Sequence, residues 1–180
     1  METHKSYQWI LNHINYLSKK ESDKYRSLYE YIFKNFPKAY GSINKKHQRW
    51  EGWYYDHILE MLTLWEMLYE TLNIYWELTF TKQKYIKVVL IHDLEKPFLY
   101  TEKWKDFLKK EGLEPHENVI KEFLINYFKI KLDKDETNAL HYIHWEWKDY
   151  SEFKRVMWEL AAFCHMLDVA SARIYHSTNK

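Results

Sequence analysis

From about Gln83 to Leu94 the chain is apolar on nearly every side of a helix, through Tyr85-Ile86-Lys87-Val88-Val89-Leu90-Ile91. A helix of that kind must be covered all round, so this segment is predicted to lie at the centre of the fold, with Pro97 closing it. The rest of the chain supplies the cover. Trp9, Ile10, Ile14 and Leu17 mark a first amphipathic helix, and Tyr25, Leu28, Tyr29, Ile32 and Phe33 a second, running from Ser22 to near Pro37. A third is expected from about Trp53 to Leu72, with His57, Met61, Leu64 and Leu68 on one face. Further helices are expected over 101–110, ended by Gly112, and from Pro115 through Phe128. Asp133 is placed to cap one from Lys134 to about Trp147, and a last one runs from Ser151 toward Tyr175. Residues 38–52 lack a clear period and read as a loop. With only 3 Gly and 3 Pro, and no convincing strand, repeat or linker, the expectation is one all-α domain over residues 1–180, a bundle of about seven or eight helices.

Composition narrows the function classes. A formal net charge of +1 argues against a dedicated nucleic-acid surface, whose affinity would come from neutralising phosphates. The 9 Trp and 16 Tyr are read first as a core built from large side chains, with exposed aromatics leaving room for a homo-oligomer. Cys164 is the one cysteine, so neither an intrachain disulfide nor a cysteine-based zinc site can form, and its apolar neighbours mark it as buried. Met1-Glu2-Thr3-His4-Lys5 does not resemble a signal peptide, and no apolar run approaches the roughly 18 residues that span a bilayer. The expectation is a soluble, cytoplasmic protein with no membrane partner.

The chemistry concentrates in a few polar residues set in apolar stretches. His92-Asp93 ends the central helix, and Asp168 follows Ala161-Ala162-Phe163-Cys164-His165-Met166-Leu167. His57 aligns with core positions. Two imidazoles and two carboxylates are the donors that hold Mn²⁺, Fe²⁺, Co²⁺, Ni²⁺, Zn²⁺ or Mg²⁺. A buried carboxylate costs several kcal/mol unless a cation or strong donor faces it, at roughly the scale set by ion desolvation. Adjacent helical residues diverge by about 100°, which lets His92 and Asp93 reach one ion beside the helix end. Small residues on the last helix, Ala161, Ala162, Ala170, Ser171 and Ala172, allow the close approach that Asp168 needs. His165 reads as core or as support for the ligands.

A histidine, a His-Asp doublet and a distant aspartate, in that order on helices, resemble the metal motif of the HD superfamily of metal-dependent phosphohydrolases. The likeness covers roughly residues 47–173. More narrowly, His47-Gln48-Arg49-Trp50-Glu51-Gly52-Trp53-Tyr54-Tyr55-Asp56-His57, His92-Asp93-Leu94-Glu95-Lys96-Pro97 and the stretch from Glu159 to Arg173 resemble small HD proteins of tailed bacteriophages. The resemblance implies an HD-type helical bundle with His57, His92, Asp93 and Asp168 as metal ligands, in a host cytoplasm if phage-encoded. It also implies a phosphate-binding role for Lys96, three residues after Asp93. Glu95 falls one position earlier than the acid that orients the attacking water in HD nucleotidases. By the same analogy His141 and His144, at i and i+3 on one expected helix, are candidates for a second ion or for the substrate phosphate. The resemblance also implies that Arg49, with His47 and Trp50, meets substrate, the guanidinium suiting a phosphate and the indole a base. Arg173 lies five residues past Asp168, within reach of the same cleft.

The expected activity is hydrolysis of a phosphate ester or anhydride of a (deoxy)nucleotide, with a metal ion acidifying the attacking water. A phosphodiesterase for a cyclic or oligonucleotide signal uses the same parts. A non-catalytic metal- or nucleotide-binding protein is the reading from a different class.

Overall fold

The computed structural model describes residues 2–39, 50–99, 106, 117–144, 146 and 149–173. Among them the chain is all-helical, with no strand: α1 Glu2–Ile14, α2 Lys19–Asn35, α3 Trp53–Trp76, α4 Lys82–Ile91, α5 Lys96–Leu99, α6 Glu117–Tyr127, α7 Lys134–Tyr142 and α8 Glu159–Arg173. No helix among the described residues is long and apolar enough to cross a membrane. The helix expected over 101–110 and the opening turn at Pro115 lie outside the described residues, apart from position 106. The chain divides into two compact units, Met1–Leu59 with Asp93–Lys131, and Glu60–His92 with Leu132–Lys180.

In the first unit α1 packs on α2 through the expected stripes, with Ile10, Ile14, Leu28, Tyr29 and Ile32 fully buried. Leu17 is buried just past the end of α1, which stops at Ile14. Phe36 closes α2 by donating its backbone N–H to the Ile32 carbonyl, 2.7 Å, immediately before Pro37. The start of α3 is pinned to this pair: Tyr55 Oη donates to the Phe36 carbonyl at 2.9 Å, and Ser6 Oγ donates to Asp56 Oδ1 at 2.6 Å. α5 packs on α6.

In the second unit α4 is the central helix that its composition demands, packed against α7 and α8, with every residue from Tyr85 to Ile91 buried. Thr81 caps its start, accepting from the Lys84 N–H. Tyr85 Oη donates to the Met61 carbonyl of α3 at 2.8 Å, and its ring stacks on Trp65. Lys87, the one charge in the run, meets Glu136 of α7 at 2.6 Å. Glu136 also serves α7's start. Its other oxygen accepts from the Asp133 N–H while the Asp133 side chain accepts from the Glu136 N–H, each at 2.9 Å.

Several helix ends differ from expectation. α4 stops at Ile91, and residues 92–95 form a turn; Pro97 does not close α4 but sits second in α5. Because Pro97 has no N–H to offer the Asp93 carbonyl, that carbonyl accepts from the Lys96 N–H instead, at 3.0 Å. α3 runs on past Leu72 to Trp76 and ends where Glu77 adopts a positive φ of 48°, a left-handed stop without glycine. α7 ends at Tyr142 rather than near Trp147, since His165 of α8 donates its Nδ1 proton to the freed Ile143 carbonyl at 2.6 Å. α8 begins at Glu159, not Ser151, because the Trp158 N–H is taken by Asn138 Oδ1 at 3.0 Å and Glu159 receives the Thr79 hydroxyl at 2.7 Å.

Glu136 joins a buried ion pair to a helix cap, so Glu136→Ala leaves Lys87 buried without its anion and uncaps α7. Urea unfolding should show a loss of roughly 3–5 kcal/mol, with Glu136→Gln losing clearly less because the amide keeps the cap bond.

Candidate functional site

In the first unit, His57 stands one turn into α3 and is 1% exposed. Its ring lies flat on the indole of Trp53, four residues earlier on the same face, with centroids 4.7 Å apart and planes 11° from parallel. Stacking fixes the ring plane and leaves the edge to point inward, with Nε2 3.6 Å from Asp93 Oδ2. Asp93 has no exposed surface, and the same oxygen receives the Lys96 ammonium. That ammonium also lies 5.3 Å from the Trp53 ring centre, so the indole walls both the imidazole and the lysine. Glu95 is buried and faces Lys121 of α6 at 3.2 Å. Burial, then the nearby Asp93 charge, push the Glu95 carboxyl above its ordinary pKa, against the pull of Lys121 and Lys96.

In the second unit, His92 follows the last residue of α4 and is fully buried. Its Nδ1 lies 2.8 Å from the Val89 carbonyl, which can only accept, so Nδ1 carries the proton. Nε2 then faces Asp168 Oδ1 of α8 at 3.9 Å. The other oxygen of Asp168 lies 3.5 Å from His144 Nδ1, and the rings of His92 and His144 are 5.7 Å apart. Asp168 therefore stands between two imidazoles. Cys164, one turn before it, is fully buried, and burial, with Asp168 adding, holds its thiol well above the usual pKa.

The two carboxylate–imidazole pairs share one chemical feature. Donor atoms on a single first-row ion at bond lengths near 2.1 Å stand about 2.9–3.4 Å apart, so each pair needs to close by at most about 1 Å to share a cation. In its neutral form with the proton on Nδ1, His92 would offer a lone pair at Nε2 that can join a carboxylate oxygen on one cation. The support to Nδ1 from a backbone carbonyl is the arrangement that fixes the tautomer of a metal-binding histidine.

The structure sorts the other residues named from the sequence. His141 does not share a helix face with His144, because α7 ends between them; its Nε2 faces Asp149 at 3.3 Å, and the ring is mostly exposed. Trp50 donates Nε1–H to Asp56 Oδ2 at 2.6 Å, which ties its indole to the start of α3. Arg173 is exposed at the last described position of α8. His47 and Arg49 lie outside the described residues. A surface cleft of about 500 Å³, lined by residues that include His141, Tyr142 and Trp158, does not contain His92, His144 or Asp168. Sequence reading missed Trp53 and Lys121. An indole among nine reads as core, and a lysine on an amphipathic helix reads as solvated, so neither carried a signal.

No family model, curated protein or solved structure matches the chain.

Burial makes Cys164 a probe of this region. With the thiol inaccessible and its pKa raised, Ellman's reagent at pH 8 should react with the folded chain at least about tenfold more slowly than with the chain in urea. Equal rates in both would place α8 outside a packed core.

Proposed function

We propose that this chain is a divalent-metal-dependent phosphohydrolase of the HD type, with His57, His92, Asp93 and Asp168 as the ligands of the ion. The observation that carries the reading is the buried His92 imidazole, oriented by the Val89 carbonyl, with its Nε2 facing an Asp168 carboxylate oxygen 3.9 Å away. The burial of Asp93 and the second imidazole–carboxylate pair, His57 with Asp93, support it independently. The donor set, nitrogen and carboxylate oxygen without sulfur, fits Mn²⁺, Fe²⁺, Co²⁺ or Zn²⁺.

When bound, such an ion acidifies water and draws charge from a phosphoryl oxygen. The chain's own groups supply the rest. Trp53 and the Val89 carbonyl fix the planes of His57 and His92, so neither imidazole spends rotational freedom on binding. Lys96, already beside Asp93, is the residue placed to meet a phosphoryl oxygen and to stabilise charge that develops on it. Glu95, held by Lys121, is the carboxylate placed to orient a water. His144, 42% exposed and paired with Asp168, stands at the solvent side of its unit, where it can donate to substrate as it enters. The substrate class that the likeness of the motif order to HD nucleotidases favours is a nucleoside phosphate.

A screen of mono-, di- and triphosphate nucleotides, with a phosphodiester included, should show turnover that depends on added Mn²⁺ or Co²⁺ and is lost with chelator. Asp93→Ala should lose both the ion and the turnover while far-UV circular dichroism persists. Lys96→Ala should keep the ion and lower kcat by roughly 10- to 1,000-fold, the range for one charged donor in a partly dry site. Metal binding without any turnover would mark a non-catalytic metal protein, and a wild-type chain that binds no divalent ion would end the proposal.

A further inference from the structure

Glu60 and Ser171 are buried polar residues to which nothing above assigns a role. Glu60 lies on α3 three residues after His57, 9% exposed, and Ser171 lies on α8 three residues after Asp168, with no exposed surface. Both belong to the second unit. Ser171 Oγ donates to Glu60 Oε2 at 2.7 Å, a hydrogen bond across 111 residues of sequence. For packing alone the carboxylate is a poor choice. Replacing buried charged groups with apolar side chains of similar volume is often neutral or stabilising, so a buried acid at this position calls for another explanation.

Geometry supplies one. α8 is small-sided here, with Ala161, Ala170 and Ala172 flanking the ligand, and small side chains do little to resist sliding or rotation of a helix. A slip of one residue moves a helix by about 1.5 Å and turns it by about 100°. Either motion would carry the Asp168 carboxylate away from His92 Nε2 and His144 Nδ1, which it faces at 3.9 and 3.5 Å. One directional bond, placed a single turn from Asp168 on the same face, adds to the contacts at the start of α8 and opposes both motions next to the carboxylate itself.

We propose that the Glu60–Ser171 hydrogen bond is the positioning contact that holds Asp168 in register with His92 and His144, and that it thereby sets the affinity of the site for a divalent cation. The inference rests on the metal reading above. Glu60 and Ser171 touch neither ion nor substrate; they act through Asp168.

The test is a Mn²⁺ titration of the full chain, read by calorimetry or by the electron paramagnetic resonance of the free ion, beside thermal unfolding of the ion-free protein. Glu60→Leu keeps the bulk and removes the acceptor. It leaves the buried Ser171 hydroxyl without that acceptor, so the melting temperature should fall slightly, while Mn²⁺ weakens by roughly 10- to 100-fold, the range for partners that orient a ligand. Ser171→Ala should weaken Mn²⁺ to a similar degree, and the double variant no further. Glu60→Gln retains an oxygen acceptor for the Ser171 hydroxyl and should bind within about threefold of wild type. Thr79→Val removes a hydroxyl bond to Glu159 at the far end of α8 and serves as the structural control: stability falls and Mn²⁺ affinity holds. Wild-type affinity in Glu60→Leu, or equal losses of affinity in Ser171→Ala and Thr79→Val, overturns the positioning role and spares the metal site. A wild-type chain that binds no Mn²⁺ overturns both.

Discussion

An imidazole whose Nδ1–H is held by a backbone carbonyl has its ring plane and the direction of its outer nitrogen fixed, and in this chain that condition is imposed by the end of α4. The last turn of any helix leaves carbonyls without intrahelical donors. Here the Val89 carbonyl accepts from the ring of His92, three residues on, the first residue after the helix. The event that terminates the central helix therefore also sets the tautomer and direction of its histidine. Nε2 is thereby aimed at the Asp168 carboxylate, at a separation of 3.9 Å.

That separation distinguishes the site from the other buried polar pairs. Lys87 and Glu136 bring opposite charges together at 2.6 Å. Ser171 and Glu60 meet as donor and acceptor at 2.7 Å. In both, donor and acceptor answer each other at hydrogen-bond distance. The imidazole–carboxylate pairs at 3.6 and 3.9 Å are of a different kind, because each is wider than a hydrogen bond and both partners are ligand types. Burial alone does not make a site; the sign and spacing of what is buried does.

How much of this was legible follows from what each feature depends on. The all-round apolar character of 85–91 is local, and it forecast the central helix; Asp133 and Glu136 lie three residues apart, and the cap at Asp133 could be read from the sequence. Helix ends decided by distant partners could not. Nothing near Tyr142 announces that His165 will take the Ile143 carbonyl, and nothing near Ser151 announces that Asn138 will take the Trp158 N–H. The same division holds for the candidate site. His92, Asp93 and Asp168 stood out as polar residues inside apolar runs. Glu60 did not, because one acid on an amphipathic helix reads as solvated, and its partner is 111 positions away. His141 and His144 were read as one face on the assumption that their helix continued, and its early end separates their roles.

On the proposed reading, charge orders the events at the site. Metal-binding histidines are neutral, so Asp93 and Asp168 outweigh the single ammonium of Lys96, and the ligand set without a cation carries a net negative charge that repels a phosphate. A divalent cation held by these residues would reverse that sign. It would have to precede the substrate, and Lys96, which moderates the repulsion at Asp93 in its absence, would be released in part from that carboxylate. The same side chain is then available to a phosphoryl oxygen without any movement of helix α5, because four rotatable bonds lie between its backbone and its charge. A lysine three residues after the aspartate, at the first position of the short helix that follows the 92–95 turn, meets both requirements; an arginine, whose rigid fork favours a fixed bidentate pair with one carboxylate, would exchange partners less readily.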